Sequence, residues 1–319
     1  MNIRLHLALM AEIKRTFPKN SEMVNALCEI LKIDRGAVYR RLRQEVPFTF
    51  NEIAIIAKHL NISMDSLIYE NHQSIPFQLR LPDFSSPKEN DYYVLNAFIN
   101  YIRSLNQTEF SETASVTNVL PHDLFSEFHH LLMFYLFVWN YHYNNSLKIK
   151  PFHQISISNE MEKTLNEYMM EMKKFDKTCF ILDSRMFKLF VDRVDYFYSI
   201  RLIEKGDVLK VKEDLFSLLD YLEKIAISGQ FKETGNSVSI YISDIDITTS
   251  YTYLEGKNIH ISMVKAFILS YVSTFDDNTF EKMKKWIQSL IKISTLITLT
   301  NEKQRVLYFE KQRKIINEL

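Results

Sequence analysis

The sequence predicts a mainly α-helical chain of two domains, with a small antiparallel β-meander late in its length. Three observations carry this expectation. The chain has 319 residues, too many for one small module at roughly 100–200 residues per domain. Apolar residues recur at helical spacing over most of it. Only 5 glycines and 7 prolines are present, too few for the tight turns of an all-β or repeat-turn protein. The 46% hydrophobic and 24% charged residues exclude a wholly disordered chain, and the 13% aromatic content supplies well-filled cores.

Lysine plus arginine and aspartate plus glutamate each number 39, for a net charge of zero. The molecule is therefore no polycation, and any contact with nucleic acid needs a local basic patch. Cys28 and Cys179 are the only cysteines, far apart and without metal or redox spacing, so reduced thiols in a cytoplasmic protein are expected. Arg4, His6 and Glu12 interrupt the apolar N-terminus, which reads as a helix rather than a signal peptide. The longest apolar run, 131–139, is nine residues, against the ~20 that span a bilayer. No membrane partner is expected.

Residues 1–72 read as a compact set of short helices. Ile3, Leu7, Met10 and 13–17 line one face of the first, and Pro18 ends it. Asn20 or Ser21 caps the second, whose inner face is Val24, Leu27, Cys28 and Leu31. After a tight turn through Lys32 and Ile33, Asp34 caps a third helix running to about Glu45, with Pro47 beyond it. Thr49 and Glu52 form a capping box, opening a helix that buries Ile53, Ile56, Ala57 and Leu60. Asn61 suits a left-handed helix terminus, and Ser63 caps a last short helix carrying Leu67. Residues 73–90, with Pro76, Pro82, Pro87 and several serines, read as a linker. Over 91–319, helices are expected near 91–106, 121–143, 158–175, 184–205, 208–228, 277–298 and 301–318. Gly206 and Gly229 stand at helix C-termini, and Asp207 caps the helix that follows. The alternating stretches 238–242 and 245–248, with a hairpin turn at Glu255, Gly256, Lys257 and Asn258, place the β-meander near 237–264.

The chemistry concentrates between Asn20 and Arg43. Two short helices must pack through Leu27, Cys28, Leu31, Ile33 and Val38, leaving the second helix one free face. On that face Arg35, Gly36, Tyr39, Arg40 and Arg43 follow i, i+1, i+4, i+5 and i+8. Arginine can bond guanine bidentately, Gly36 permits close backbone approach, and Tyr39 can bond a phosphate. Residues 31–44 carry five basic side chains (Lys32, Arg35, Arg40, Arg41, Arg43) and one acid, Asp34. Residues 24–67, with "LCEILKIDRGAVYRRLRQE" followed by "TFNEIAIIAKHLNIS", resemble the helix-turn-helix family that includes phage lambda repressor and Cro. That resemblance implies a five-helix DNA-binding domain over 1–72. It makes 34–45 a recognition helix in the major groove of double-stranded DNA, with Arg35, Gly36, Tyr39 and Arg40 at contact positions. Lys14, Arg41 and Arg43 become backbone contacts. Two positions depart from the family pattern: Lys32 stands where glycine is usual, and Leu42 comes one place late. The remainder resembles C-terminal halves found behind such modules in Bacteroidetes-like proteins, a resemblance that transfers no function.

Other constellations read as structural. His129, His130 and His142 flank the apolar run with Phe134, Phe137 and Trp139. Adjacent histidines point about 100° apart on a helix, so a core or interface helix is expected rather than a metal site, and no cofactor is implied. Asp183, Asp192 and Asp195 with Arg185, Arg193 and Arg201 read as a solvated, salt-bridged helix face. The terminal segment 301–319 fits a dimerising helix and a docked last helix equally. The expected function is a sequence-specific, homodimeric transcription regulator, not an enzyme, whose C-terminal domain dimerises it or senses an effector ligand or protein. A second reading is an antitoxin-like or anti-regulator helical interaction module without DNA activity. A third, an enzyme fused to a DNA-binding domain, requires a cleft where polar side chains converge.

Overall fold

The computed structural model describes residues 2–17, 19–60, 62, 64, 67, 77–79, 81–84, 86–125, 127–143, 150–257 and 259–319. The chain divides into two compact units, Met1–Phe77 and Gln78–Leu319.

The first unit is helical: α1 (Asn2–Thr16), α2 (Asn20–Leu31), α3 (Arg35–Leu42) and α4 (Phe50–His59). Leu9, Ile13, Val24, Leu27, Val38 and Ile56 are fully buried at its centre. The inner face of α1 is rotated from the expected one: His6, Leu9, Met10 and Ile13 face the core, whereas Leu7 is exposed. Helix α2 begins at Asn20, so Asn20 and Ser21 lie within its first turn, and its N-cap, Lys19, makes no side-chain cap bond. The expected roles of Pro18, Asn61 and Ser63 lie outside the described residues, as does most of the expected fifth helix, although Leu67 is buried in this core.

The second unit overturns the expectation of a mainly helical domain with a small β-meander. It is mixed α/β, built on one eight-stranded sheet. Its elements are β1 (Gln78–Leu79), α5 (Glu89–Asn106), β2 (Glu112–Thr117), α6 (His122–Phe125), α7 (His129–Tyr143), α8 (Asn159–Met172), β3 (Lys177–Asp183), α9 (Met186–Ser199) and α10 (Lys205–Ser228). There follow β4 (Ser237–Ser243), β5 (Tyr251–Gly256), β6 (Ile259–Lys265), β7 (Tyr271–Thr274), α11 (Asp277–Ile291), β8 (Thr295–Leu296) and α12 (Glu302–Asn317). The strand order is β1-β7-β6-β5-β2-β3-β4-β8. Strands β2, β3 and β4 are parallel and the remaining pairs antiparallel. Thus β4 does not continue into the β5–β6–β7 meander. It pairs with β3, while β5 lies on the far side of β2. Parallel neighbours need long crossovers, and helices α6–α8 and α9–α10 supply them.

Helices cover both faces of the sheet. Phe180 and Leu182 of β3 and Val238, Ile240 and Ile242 of β4 pack into the largest core with α7, α9, α10 and α12. Ala114, Val116 and Ile181 point the other way, against Phe280 and Ile287 of α11. The β2–β5 seam carries paired hydroxyls: Ser115 Oγ lies 2.8 Å from Thr252 Oγ1, and Thr117 Oγ1 lies 2.9 Å from Ser250 Oγ. These cross-strand bonds satisfy buried polar atoms and fix the register.

The helix expectations hold in position more than in ends. The run 131–140 in α7 is buried throughout, as a core helix requires. Gly229 is the left-handed C-cap of α10, at φ 71°. Gly206 and Asp207 instead fall inside the first turn of α10, because that helix starts at Lys205. Asp183 sits at the end of β3 rather than on a helix face. Its carboxylate is buried and accepts from the Arg185 backbone N–H at 2.8 Å and the Ile247 N–H at 3.2 Å. The last helix, α12, is docked through Tyr308, Phe309, Gln312 and Ile316.

Candidate nucleic-acid interface

The site is built by α2, a three-residue turn and α3. Lys32 closes α2 in the left-handed region, at φ 52° and ψ 42°, the position where a glycine would carry no steric cost. Asp34 then caps α3, its Oδ1 accepting from the Ala37 N–H at 2.9 Å. A Cβ placed on Gly36 would lie 3.0 Å from that same Asp34 oxygen, so a larger residue here would crowd the cap, and the position is open to solvent. The carboxylate already occupies the helix N-terminus, so the anion attracted by the α3 dipole is Asp34 itself.

Helix α3 ends three residues earlier than expected, in a Schellman arrangement. Gln44 is left-handed at φ 64°. The Glu45 N–H bonds the Arg40 carbonyl at 2.9 Å and the Gln44 N–H bonds that of Arg41 at 3.0 Å. Arg43 is therefore the C-cap residue rather than a mid-helix position.

Ala37 and Val38 are buried, whereas Arg35, Gly36, Tyr39, Arg40 and Arg43 are exposed and lie on one side of α3. The side chains of Arg35 and Arg40 have no hydrogen bond or ion pair among the described residues. The Arg43 Nε is 3.4 Å from the Tyr39 carbonyl and 3.4 Å from Glu45 Oε1, both solvent-exposed contacts. Lys14 is exposed on α1.

Arg41 stands apart from this set. Its guanidinium forks onto Glu52, Nε to Oε2 at 3.1 Å and Nη2 to Oε1 at 2.7 Å, and Nη1 donates to the Ala37 carbonyl at 3.2 Å. Its side chain is only 16% exposed. The capping box is present as expected: the Thr49 N–H donates to Glu52 Oε2 at 2.8 Å, and the Glu52 N–H donates to Thr49 Oγ1 at 3.2 Å. One carboxylate thus caps α4 and holds α3 by a bidentate pair. The box was legible in the sequence, but the Arg41 partnership was not, because it depends on how α3 and α4 meet.

Burial alone would raise the Glu52 pKa, but the Arg41 guanidinium and the Thr49 N–H outweigh it and hold the carboxyl below its ordinary value of 4.5. A carboxyl depressed in the folded state contributes stability that is present above the unfolded pKa and lost as pH falls through the folded one. Glu52→Gln is therefore expected to lower the protection of α2–α4 amides in hydrogen exchange by about 1–2 kcal/mol at pH 7. The gap to wild type should close as the pH falls below about 4.5. A gap unchanged from pH 7 to pH 3 would contradict the assignment.

No helix among the described residues is long and apolar enough to cross a membrane. Comparison with curated proteins and with solved structures gave no match for the chain. Residues 9–94, a stretch that contains α2, the turn and α3, match the BetR domain, a helix-turn-helix-type DNA-binding domain family, and this similarity is consistent with a DNA-binding regulatory role for the N-terminal unit.

Proposed function

We propose that the chain is a sequence-specific transcription regulator that reads DNA with α3 in the major groove and binds two half-sites as a homodimer. The observation that carries this reading is the free face of α3. Arg35 and Arg40 project unpaired from a helix whose other side is locked by Val38, the Asp34 cap and the Arg41–Glu52 pair. A fork of donors held on a rigid helix and left without intramolecular partners matches a guanine edge or a phosphate. A homodimer is supported by area: one small module buries little surface on a duplex, and joining two half-sites raises affinity without new contacts.

The test is binding of the purified full chain to labelled DNA from upstream of its own gene and to pooled genomic fragments, between 50 and 200 mM salt. Neutralising four to six phosphates would give a slope of about −4 to −5 in log K against log salt. Specific binding to a two-fold symmetric site at this salt dependence is the expected result. No binding at the lowest salt to any fragment would sink the proposal and favour a protein-interaction module.

A further inference from the structure

The second unit holds a convergence of polar side chains that the sequence did not reveal. Two cavities, of about 130 and 450 Å3, share Pro82 and Ser270 in their walls. The first is lined mainly by apolar side chains, among them Phe84, Leu95, Phe98, Ile99 and Leu165, with His122, Tyr168, Ser270 and Tyr271 among its polar members. The second reaches Arg193 of α9.

Between them stand the end of β6 and the turn that follows it. Lys265 closes β6, with its Nζ 3.4 Å from His122 Nε2 and 5.8 Å from the centre of the Tyr135 ring. The Ile268 carbonyl bonds the same imidazole, which leaves Nε2 to accept from the ammonium. Burial and the Lys265 charge push the His122 pKa well down, so the ring is neutral. Burial and repulsion by Arg193 bring Lys265 down to about 7, against the opposing pull of Asp123. The Asp123 carboxyl, raised by burial to about 6, is bonded by the Tyr168 hydroxyl. Among the described residues, neither Lys265 nor Arg193 has a carboxylate within ion-pair distance. Ser270 Oγ is buried and has no hydrogen-bond partner among the described residues, although it lines both cavities.

An ammonium, a guanidinium and an unpartnered hydroxyl are all donors. Gathered beside an apolar cavity, they form the complement of an anionic head on an apolar body. Asp123 attracts Lys265 from beyond ion-pair distance, and a ligand carboxylate would supply the close counter-charge that Lys265 and Arg193 lack. Apolar walls exclude a sugar or nucleotide, whose polar atoms would go unsatisfied. We infer that the second unit binds a small monocarboxylic acid with an aliphatic tail. The carboxylate sits among Lys265, Ser270 and Arg193, and the tail lies in the cavity lined by Phe84, Phe98, Ile99 and Leu165. The site stands independently of the DNA-binding reading, since each of its residues belongs to the second unit.

The test is calorimetric titration of the full chain with hexanoate, octanoate and decanoate, beside octanol and octyltrimethylammonium. Thermal melts of every variant establish folding. One acid per chain should bind, at least ten-fold more tightly than octanol, and the quaternary ammonium should give no heat. Lys265→Met should bring octanoate down to the affinity of octanol. Ile99→Trp, which fills the cavity, should abolish both. If Lys265→Met fails to fold, Arg193→Met is used in its place, with the same loss of preference for the acid expected. No binding by any of the three acids overturns the inference, as does equal affinity for octanoate and octanol in the wild type.

Discussion

The double variant Arg35→Ala/Arg40→Ala is expected to bind specific DNA about 100-fold more weakly than the wild type while melting at the same temperature. Each arginine that pairs with a guanine edge is worth ~1–3 kcal/mol of discrimination, and two such losses give roughly that factor. Stability should not change, because both side chains are exposed and unpaired. Arg41→Ala, one residue further on, should behave in the opposite way. Its guanidinium is committed to Glu52 and the Ala37 carbonyl, so its removal should lower protection of α2–α4 amides by about 1.5–3 kcal/mol and affect DNA only through that loss. Salt separates the two kinds of DNA contact. If Arg35 and Arg40 read bases, the double variant loses affinity for specific DNA far more than for scrambled DNA. If they hold phosphates, both fall together and the salt slope decreases by about one per lost contact. Undiminished affinity in the double variant would refute the assignment of α3 as the reading helix.

Lys173→Met should be the most destabilising single change of a charged residue in the second unit, lowering its melting temperature by about 6–12 °C for a loss of about 3 kcal/mol. Lys173 follows α8, and its side chain is 1% exposed. Its ammonium lies 2.9 Å from both Glu127 and Glu233 and 5.0 Å from the centre of the Tyr221 ring. The Tyr221 hydroxyl completes the cluster by donating to Glu233 at 3.1 Å. Burial works against the charged lysine, but bonds to Tyr221, Glu127 and Glu233 outweigh it and hold the pKa above its ordinary value. Removing the cation leaves two carboxylates facing one another. The cost falls at the lower end of the range for a broken buried pair, because Glu127 and Glu233 keep side-chain exposures of 42% and 24%. Adding Glu127→Gln and Glu233→Gln to Lys173→Met should restore part of the loss, as expected when the penalty is an uncompensated charge. A melting temperature within about 2 °C of wild type for Lys173→Met, measured by calorimetry, would show that the cluster contributes little.

What the sequence determined by itself was local. Asp34 as a cap, the Thr49–Glu52 capping box, Gly229 at a helix end and the α2–turn–α3 order each depend on residues within a few positions of one another. Backbone hydrogen bonding within one turn decides them. The exposed face of α3 was legible for the same reason, since 3.6-residue periodicity gathers Arg35, Gly36, Tyr39, Arg40 and Arg43 on one side of the helix and sets Arg40 across from Val38.

The tertiary structure alone decided the class of the second unit. Strands β2 and β3 are buried on both faces, so β3 shows no alternation of apolar and polar residues, and the polar set of β2, Thr113, Ser115 and Thr117, lies in the interior rather than in solvent. A central strand lacks the exposed face that marks a half-buried one, and the hydroxyls of Ser115 and Thr117 find Thr252 and Ser250, more than 130 residues away. Tertiary packing also decided the Arg41–Glu52 fork, although its members are only 11 residues apart, and the meeting of His122 with Lys265, 143 residues apart. Each is a contact between elements whose approach is set by packing, and no short-range pattern records which charged side chain will find a partner there and which will remain free.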